Sequence, residues 1–167
     1  DRALPVGCVL TIAASGSEAS PDSVITQDGS MLKRETSSSV LLPTFSILNP
    51  ELTQTLPAYQ TACGITDMYS HLLERYMSRS TAVGVSDRMI EGLMLSIIDK
   101  AAPVAEDPRD YDARANLMWA SSWAINGFLD GGRTLAWSCH PMEHQLSAYY
   151  DITHGLGLAI LTPRWMR

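Results

Sequence analysis

Residues 137–155 read WSCHPMEHQLSAYYDITHG, and three of the four histidines of the chain, His140, His144 and His154, fall within them. The fourth histidine, His71, follows Asp67 by four positions in a second polar segment. Imidazole nitrogens combined with one carboxylate form a ligand set that suits a divalent transition metal such as iron or zinc. The sequence therefore predicts a mononuclear metal site made by Asp67, His71, His140 and His154.

The segment around Asp67 predicts a helix over about 57–76, with Pro57 in the first turn, where its missing N–H would have no partner in any case. Asp67 and His71 then project from the same face, one turn apart. A pair at this spacing also suits a surface hydrogen bond. Its neighbours are small or apolar, however, and a lone carboxylate is costly to bury among them. A cation would supply the partner that such a carboxylate needs.

The segment around His140 predicts a helix over about 138–150, which would place His140 and His144 on one face. Thr153 is predicted to cap a further helix whose first residue is His154. One of these three histidines is expected not to be a ligand, and His144 has the alternative role of a hydrogen-bonding group or proton carrier beside the site. A second interpretation of the cluster is a set of core histidines bonded to carbonyl groups.

The first part of the chain is rich in strand patterns. The runs Leu4–Ala13 and Pro43–Leu48 each predict a short strand, the first of them buried. The pair Asp28-Gly29 predicts the turn of a small hairpin over 23–35. These strands are too few for a complete sheet domain, so residues 1–50 are interpreted as a β-rich remnant of one.

From residue 51 onward the pattern becomes helical, which predicts a mainly α domain over 51–167. The apolar residues of 87–102 predict a largely buried helix, and the small residues of 113–129 predict a second one that packs closely against its neighbours. Trp119 and Trp123, four residues apart, are expected to lie in the core.

Composition excludes several classes of protein. The chain has 167 residues, is 46% hydrophobic and carries a net charge of −6, which predicts a globular unit with a sizeable core. It has no Lys/Arg run that could follow a nucleic acid backbone and no apolar run of the roughly 20 residues that span a bilayer. A soluble, cytoplasmic protein is expected. The three widely spaced cysteines are read as reduced core thiols, with Cys139 considered as a fifth ligand because it precedes His140.

Two segments resemble a known family. Residues 46–74, SILNPELTQTLPAYQTACGITDMYSHLLE, and residues 137–157 are similar to the iron-containing alcohol dehydrogenase family, and within it to the butanol-dehydrogenase-like branch of NAD(P)H-dependent aldehyde reductases. The resemblance runs from about Val6 to Met166. It implies the helical metal-binding domain of the iron-containing alcohol dehydrogenase and dehydroquinate synthase-like fold, preceded by the end of an N-terminal α/β nucleotide-binding domain.

The resemblance also implies roles for individual residues. The family's iron ligands correspond to Asp67, His71, His140 and His154, and its additional histidine near the substrate corresponds to His144. Residues 11–20, TIAASGSEAS, resemble the loop that contacts the nicotinamide and diphosphate of the cofactor. This likeness assigns cofactor contact to Thr11, Ser15, Gly16, Ser20 and Lys33.

The function expected from this resemblance is hydride transfer between NAD or NADP and a small alcohol or aldehyde. Fe²⁺, or alternatively Zn²⁺, would polarise the substrate oxygen, and His144 would relay the proton. A homodimer is left open. Two alternatives are a metal-assisted hydrolase or lyase without a nucleotide and a catalytically incomplete helical fragment. The second alternative arises because the family's N-terminal nucleotide-binding domain is missing from this sequence. Both ends of the sequence also look cut, as expected for part of a longer protein.

Overall fold

The computed structural model describes residues 2–167. Within this range lie four short strands: β1 (Gly7–Val9), β2 (Asp22–Thr26), β3 (Lys33–Ser37) and β4 (Phe45–Ile47). Five α-helices follow: α1 (Ala58–Tyr76), α2 (Gly84–Glu106), α3 (Tyr111–Ile125), α4 (Cys139–Tyr150) and α5 (His154–Trp165). The predicted mainly α fold is confirmed. The division into domains at residue 50 stays a prediction.

Helix α1 is the central element of the helical part. It packs against α2, α3 and α5, and α4 packs against α5. Asp110 caps the start of α3, because its carboxylate accepts a hydrogen bond of 3.0 Å from the N–H of Ala113. Apolar side chains from α1, α2 and α3, together with Leu129, fill the space between these three helices: Met68, Leu72, Ile90, Ile97, Val104, Ala113, Leu117, Ala120, Ala124 and Leu129.

The strands form two separate pairs. Strand β1 runs parallel to β4, with Cys8 opposite Ser46, and β2 pairs antiparallel with β3, with Val24 opposite Glu35. The predicted hairpin is confirmed. The predicted buried strand over 4–13 is wrong for most of its length, because only Gly7–Val9 is extended and paired, and within 4–10 only Leu10 is buried. In a two-stranded pair, both faces stay open unless another element covers them.

Two predictions about helix burial are also wrong. Helix α2 buries only Ile90, Ile97 and Val104, spaced seven residues apart, so one narrow face meets the core and the opposite face stays exposed. Trp119 is 59% exposed, whereas Leu117 on the same helix is buried. The small residues of α3 face α1 and α2, and the two indoles pack edge-on with each other on the outside.

In the part of the chain from residue 2 to residue 167, every helix is too short or too polar to cross a membrane.

Candidate metal centre

Three helices bring the predicted ligands to one point. Asp67 and His71 come from α1, His140 from the first turn of α4, and His154 is the first residue of α5. The Nε2 atoms of the histidines lie at similar distances from one atom, Asp67 Oδ1: 3.7 Å for His71, 3.6 Å for His140 and 3.5 Å for His154. The structure thus gathers four side chains that are up to 87 residues apart in the sequence.

The polar atoms at this point lack partners within the described residues. Asp67 Oδ1 and His140 Nε2 are buried and make no hydrogen bond, although both belong to strongly polar groups. Buried groups of this kind are normally satisfied, so their arrangement indicates a ligand between them. The ligand atoms of Asp67, His140 and His154 all lie within 4.8 Å of one another, and His71 stacks on His140 with 4.6 Å between ring centroids. A divalent cation with nitrogen and oxygen ligands fits this donor set.

Glu74 holds His140 in position from behind. Its carboxylate pairs with His140 Nδ1 and accepts hydrogen bonds from the backbone N–H groups of Ser138 (2.7 Å), Cys139 (2.9 Å) and His140 (2.9 Å). Because a carboxylate only accepts, the Nδ1 of His140 carries a proton, and Nε2, which faces Asp67, is the nitrogen that can bind a cation once its own proton is lost. Glu74 also satisfies the first N–H groups of α4, which have no partner within the helix.

Glu143 holds His154 in the same manner. Its carboxylate pairs with His154 Nδ1 and accepts from the hydroxyl of Ser147. The sequence analysis missed Glu143, and it gave Glu74 no role in the site. Glu74 stands one helical turn beyond His71 in the same segment, which is a signal that could have revealed it. Glu143 lies eleven residues before the histidine it contacts, so no local spacing indicates the pair.

Burial and neighbouring charges shift the pKa values of the residues in this cluster in different directions. Burial raises the pKa of Asp67, but His71 and the two other histidines outweigh it and hold the pKa below its ordinary value. Burial lowers the pKa of His71 to about 3 against the attraction of Asp67. Burial also acts to lower the pKa of His140, but Asp67 and Glu74 raise it to about 9. The centre therefore combines an ionised carboxylate with at least one ring that is already neutral, as a metal site requires.

A cavity of about 600 Å³ opens over the cluster. His144 lies on its wall, with its ring centroid 5.3 Å from that of His154. Trp137 forms another part of the wall, edge-on to His140, with the guanidinium carbon of Arg75 4.8 Å from its ring centroid. Five residues that carry imidazole or indole rings thus border one cavity, whose volume suits a small molecule.

The predicted cofactor residues divide into two groups. Ser15, Ser20 and Lys33 line the same cavity as the histidines, whereas Thr11 and Gly16 do not. Gly16 is buried beneath the loop with φ of 67°, and a Cβ there would overlap Ile125. Its place in the structure indicates a role in shaping the loop rather than in lining the cavity.

Glu18 fastens this loop to α3, and the sequence analysis missed it as well. The side chain is 5% exposed, and its Oε1 accepts from the hydroxyls of Ser121 (3.2 Å) and Ser122 (2.5 Å). The backbone carbonyl of Glu18 accepts from the hydroxyl of Ser46, which lies in β4. One charged residue among small ones in the TIAASGSEAS segment is the signal that could have revealed it.

Cys139 does not join the cluster. Its thiol contacts the hydroxyl of Thr162 on α5 at 3.5 Å, and it is buried. Cys63 is also buried, Cys8 is partly exposed, and all three cysteines are free thiols. The reading of Cys139 as a fifth ligand is therefore wrong.

The chain is similar to known dehydrogenases over nearly all of its length. It is 51% identical to NADH-dependent butanol dehydrogenase B of Clostridium acetobutylicum over 165 residues, which are 99% of this chain and 42% of that protein. It is 37% identical to the NADPH-dependent aldehyde reductase YqhD of Escherichia coli over 161 residues, which are 96% of this chain and 42% of that protein. The chain thus spans less than half the length of these relatives.

A solved structure has the same fold. The crystal structure of NADH-dependent butanol dehydrogenase A from Thermotoga maritima superimposes with a TM-score of 0.97 at 44% identity, covering 99% of this chain and 42% of that one. Residues 61–167 match the model of the C-terminal part of the Fe-containing alcohol dehydrogenase family. The resemblance predicted from the two segments is confirmed, and the chain belongs to the Fe-containing alcohol dehydrogenase family.

Proposed function

We propose that this chain carries the metal centre of an alcohol dehydrogenase or aldehyde reductase that transfers hydride between NAD(P)(H) and a small alcohol or aldehyde. One observation carries the proposal: three Nε2 atoms surround one buried carboxylate oxygen that has no hydrogen-bond partner within residues 2–167. The names of the relatives support the reaction class, because butanol dehydrogenases and an aldehyde reductase are among them.

Asp67, His71, His140 and His154 would hold Fe²⁺, with Zn²⁺ as the alternative, since both accept nitrogen and oxygen ligands. When bound, the ion supplies Lewis acidity for the substrate oxygen. The protein's own contribution is to fix the rings. Glu74 and Glu143 hold two of them by Nδ1, so that their Nε2 atoms face the centre. The other two proposed ligands, Asp67 and His71, come from α1.

His144 is proposed as the proton relay of the reaction. It lies on the cavity wall next to His154, and it is not among the rings that surround Asp67 Oδ1. An imidazole in this place can take the proton of an alcohol that loses hydride, or return one to the product of aldehyde reduction. His144 would therefore act on the substrate, whereas the other histidines act on the metal.

The loop 14–20 and Lys33 are proposed to hold the nicotinamide cofactor in the cavity that the histidines also line. Ser15 and Ser20 present hydroxyl groups there, and Lys33 presents an ammonium group that suits a phosphate. Thr11, which is exposed and lies outside this lining, is proposed to contact the cofactor beyond the cavity. The relatives' names include both NADH and NADPH, so either dinucleotide is consistent with the proposal.

The remaining assignments follow from the same reading. Residues 1–50 are proposed to be the C-terminal remnant of an α/β nucleotide-binding domain, and residues 51–167 to be a helical metal-binding domain that continues beyond residue 167. A cytoplasmic location and a homodimer are proposed as well. No nucleic acid partner is proposed, because the 18 acidic residues outnumber the 12 basic ones and are not segregated from them.

The test combines metal content with turnover. The purified protein is loaded anaerobically with Fe²⁺ or Zn²⁺, desalted and analysed for metal, and its reduction of butanal is followed by the loss of NADH or NADPH absorbance. We expect about one bound ion per chain in the wild type, and loss of both the ion and any turnover in Asp67→Ala and His140→Ala. His144→Ala should keep the ion and lose turnover. Unchanged metal content and unchanged turnover in Asp67→Ala would contradict the proposal.

The same preparation separates the alternatives. Binding of NADH, measured by the fluorescence of its nicotinamide ring, is expected for a dehydrogenase and not for a metal-assisted hydrolase or lyase. A bound ion with neither turnover nor NADH binding would instead identify the 167 residues as a catalytically incomplete helical fragment.

A further inference from the structure

We infer that Glu143 is a positioning residue for the metal: its carboxylate orients the imidazole of His154 and strengthens that ring as a ligand. The inference rests on the proposed metal centre and goes beyond it, since Glu143 itself does not face the ion. The relevant contacts are those of its two carboxylate oxygens. One oxygen pairs with His154 Nδ1, and the other accepts from the hydroxyl of Ser147.

The burial of Glu143 makes this pairing obligatory. Its side chain has no exposed surface, and a carboxylate in such a place is costly unless it has hydrogen bonds and a compensating positive charge. The hydroxyl of Ser147 is neutral. Lys33 makes a smaller contribution, and the larger attraction comes through the imidazole of His154, whose opposite nitrogen faces Asp67 at 3.5 Å. A cation at the centre would supply the compensating charge.

The fold reserves space for this carboxylate. Glu143 lies on α4 and His154 begins α5, and the two helices pack together beside Gly157. A Cβ on residue 157 would overlap the carboxyl group of Glu143, so the absence of a side chain there lets the carboxylate reach the histidine. The contact is thus built from both helices, and it is not an accident of a flexible surface side chain.

Glu143 differs from Glu74 in what else it holds. Glu74 accepts from three backbone N–H groups at the start of α4 as well as from His140, so removing it would disturb the helix and the ligand together. Glu143 accepts from no backbone group in the described residues. Its negative charge is therefore directed mainly at one ring, and its removal can test the effect on the metal with less damage to the fold.

The physical effect has two parts. A carboxylate that accepts from Nδ1–H fixes the tautomer in which Nε2 carries the lone pair, and it limits rotation of the ring. Its charge also makes that lone pair more basic and partly neutralises the positive charge of the ion. Removal of such a carboxylate typically lowers metal affinity about 10-fold to 100-fold.

The experiment uses Co²⁺ as the probe, because its visible absorption bands report the ligands directly. The affinity of the 167-residue chain for Co²⁺ is measured by competition with a chelator in the wild type, Glu143→Gln, Glu143→Ala and Ser147→Ala. Far-ultraviolet circular dichroism establishes that each variant is folded. Ser147→Ala is the matched control, because it removes the other hydrogen-bond partner of the carboxylate and leaves His154 untouched.

We expect Glu143→Ala to weaken Co²⁺ binding about 10-fold to 100-fold and to shift the absorption bands, with a smaller loss in Glu143→Gln, whose amide oxygen can still accept from Nδ1–H. Ser147→Ala should keep the wild-type spectrum. Equal Co²⁺ affinity and an equal spectrum in the wild type and both folded Glu143 variants would overturn this inference alone. Failure of the wild type to bind Co²⁺ would overturn the proposed metal centre as well.

Discussion

Glu74 combines two tasks that are usually given to different residues. Its carboxylate caps the first turn of α4 through three backbone N–H groups, and it also pairs with the Nδ1 of His140. One side chain from α1 thereby fixes both the start of α4 and the orientation of His140, a proposed metal ligand. Any change that moves the beginning of α4 must therefore move His140 too.

Replacement of Glu74 by alanine should accordingly lower stability even without metal. The variant leaves buried N–H groups without a partner, so we expect the free energy of unfolding to fall by about 2 kcal/mol or more. Urea unfolding followed by circular dichroism measures this loss. Glu106→Ala, at the exposed end of α2, is the control and should change little. Equal losses in the two variants would show that the cap is unimportant.

At the scale of elements, the position of the loop 14–20 depends on α3. Glu18 connects the loop to Ser121 and Ser122, and its side chain is nearly fully buried. The loop is otherwise a short irregular segment after β1. A single buried carboxylate thus determines where the hydroxyls of residues 15–20 stand relative to the helical part.

Glu18→Ala should release the loop. Loss of the carboxylate leaves the buried hydroxyl of Ser122 without its acceptor, whereas Ser121 can still donate to the carbonyl of Met118, and the change should cost about 1–3 kcal/mol. We expect faster hydrogen exchange over residues 14–20 and a raised KM for NADH, with the exchange of α5 unchanged. Glu51→Ala, an exposed acidic residue before α1, serves as the control. Unaltered exchange in the loop of the Glu18 variant would contradict this account.

Two residues on α3 can be compared to test which face of this helix stabilises the fold. Leu117 is buried in the core and Trp119 is 59% exposed, although the indole is the larger side chain. Leu117→Ala should lower the free energy of unfolding by about 2–5 kcal/mol, and Trp119→Ala should lower it less. Thermal unfolding of both variants checks the order. The reverse order would mean that the outer aromatic row is the more important packing surface.

These elements also show how far the sequence could be interpreted. Helices α1, α4 and α5 were predictable because their ligands stand at helical spacing or directly after a cap, as with Asp67 and His71 or Thr153 and His154. The burial of α2 and of Trp119 was not predictable, because apolar composition does not say which face meets a neighbour. The contact of Glu143 with His154 was hidden for a related reason: it depends on how α4 packs on α5.

At the scale of the whole molecule, the proposed metal centre joins three helices of which only α1 contributes to the apolar core. Asp67 lies on α1, His140 on α4 and His154 on α5. Without an ion, Asp67 Oδ1 has no hydrogen-bond partner within residues 2–167. The three histidines around it hold the pKa of Asp67 below its ordinary value, so its charge is balanced in the fold, and a bound cation would add a stronger electrostatic contact.

Asp67→Asn separates these two effects. In the presence of a chelator at neutral pH, the variant should be less stable than the wild type, because the amide loses the attraction of the histidines that lowers the pKa of Asp67. Zn²⁺ at about 100 times its Kd should stabilise the wild type by about 2.7 kcal/mol and leave the variant unchanged. Differential scanning calorimetry with and without Zn²⁺ measures both. A variant that is stabilised by Zn²⁺ as strongly as the wild type would exclude Asp67 as a ligand.

The indole of Trp137 stands edge-on to the rings of His71 and His140, directly beside the place where an ion would lie. An excited indole transfers its energy readily to a nearby metal ion with partly filled d orbitals. The filled d shell of Zn²⁺ does not accept this energy. Fe²⁺ or Co²⁺ should therefore quench the fluorescence of Trp137, and Zn²⁺ should leave its intensity unchanged. The fluorescence of Trp137 would therefore report which metal ion the protein has bound.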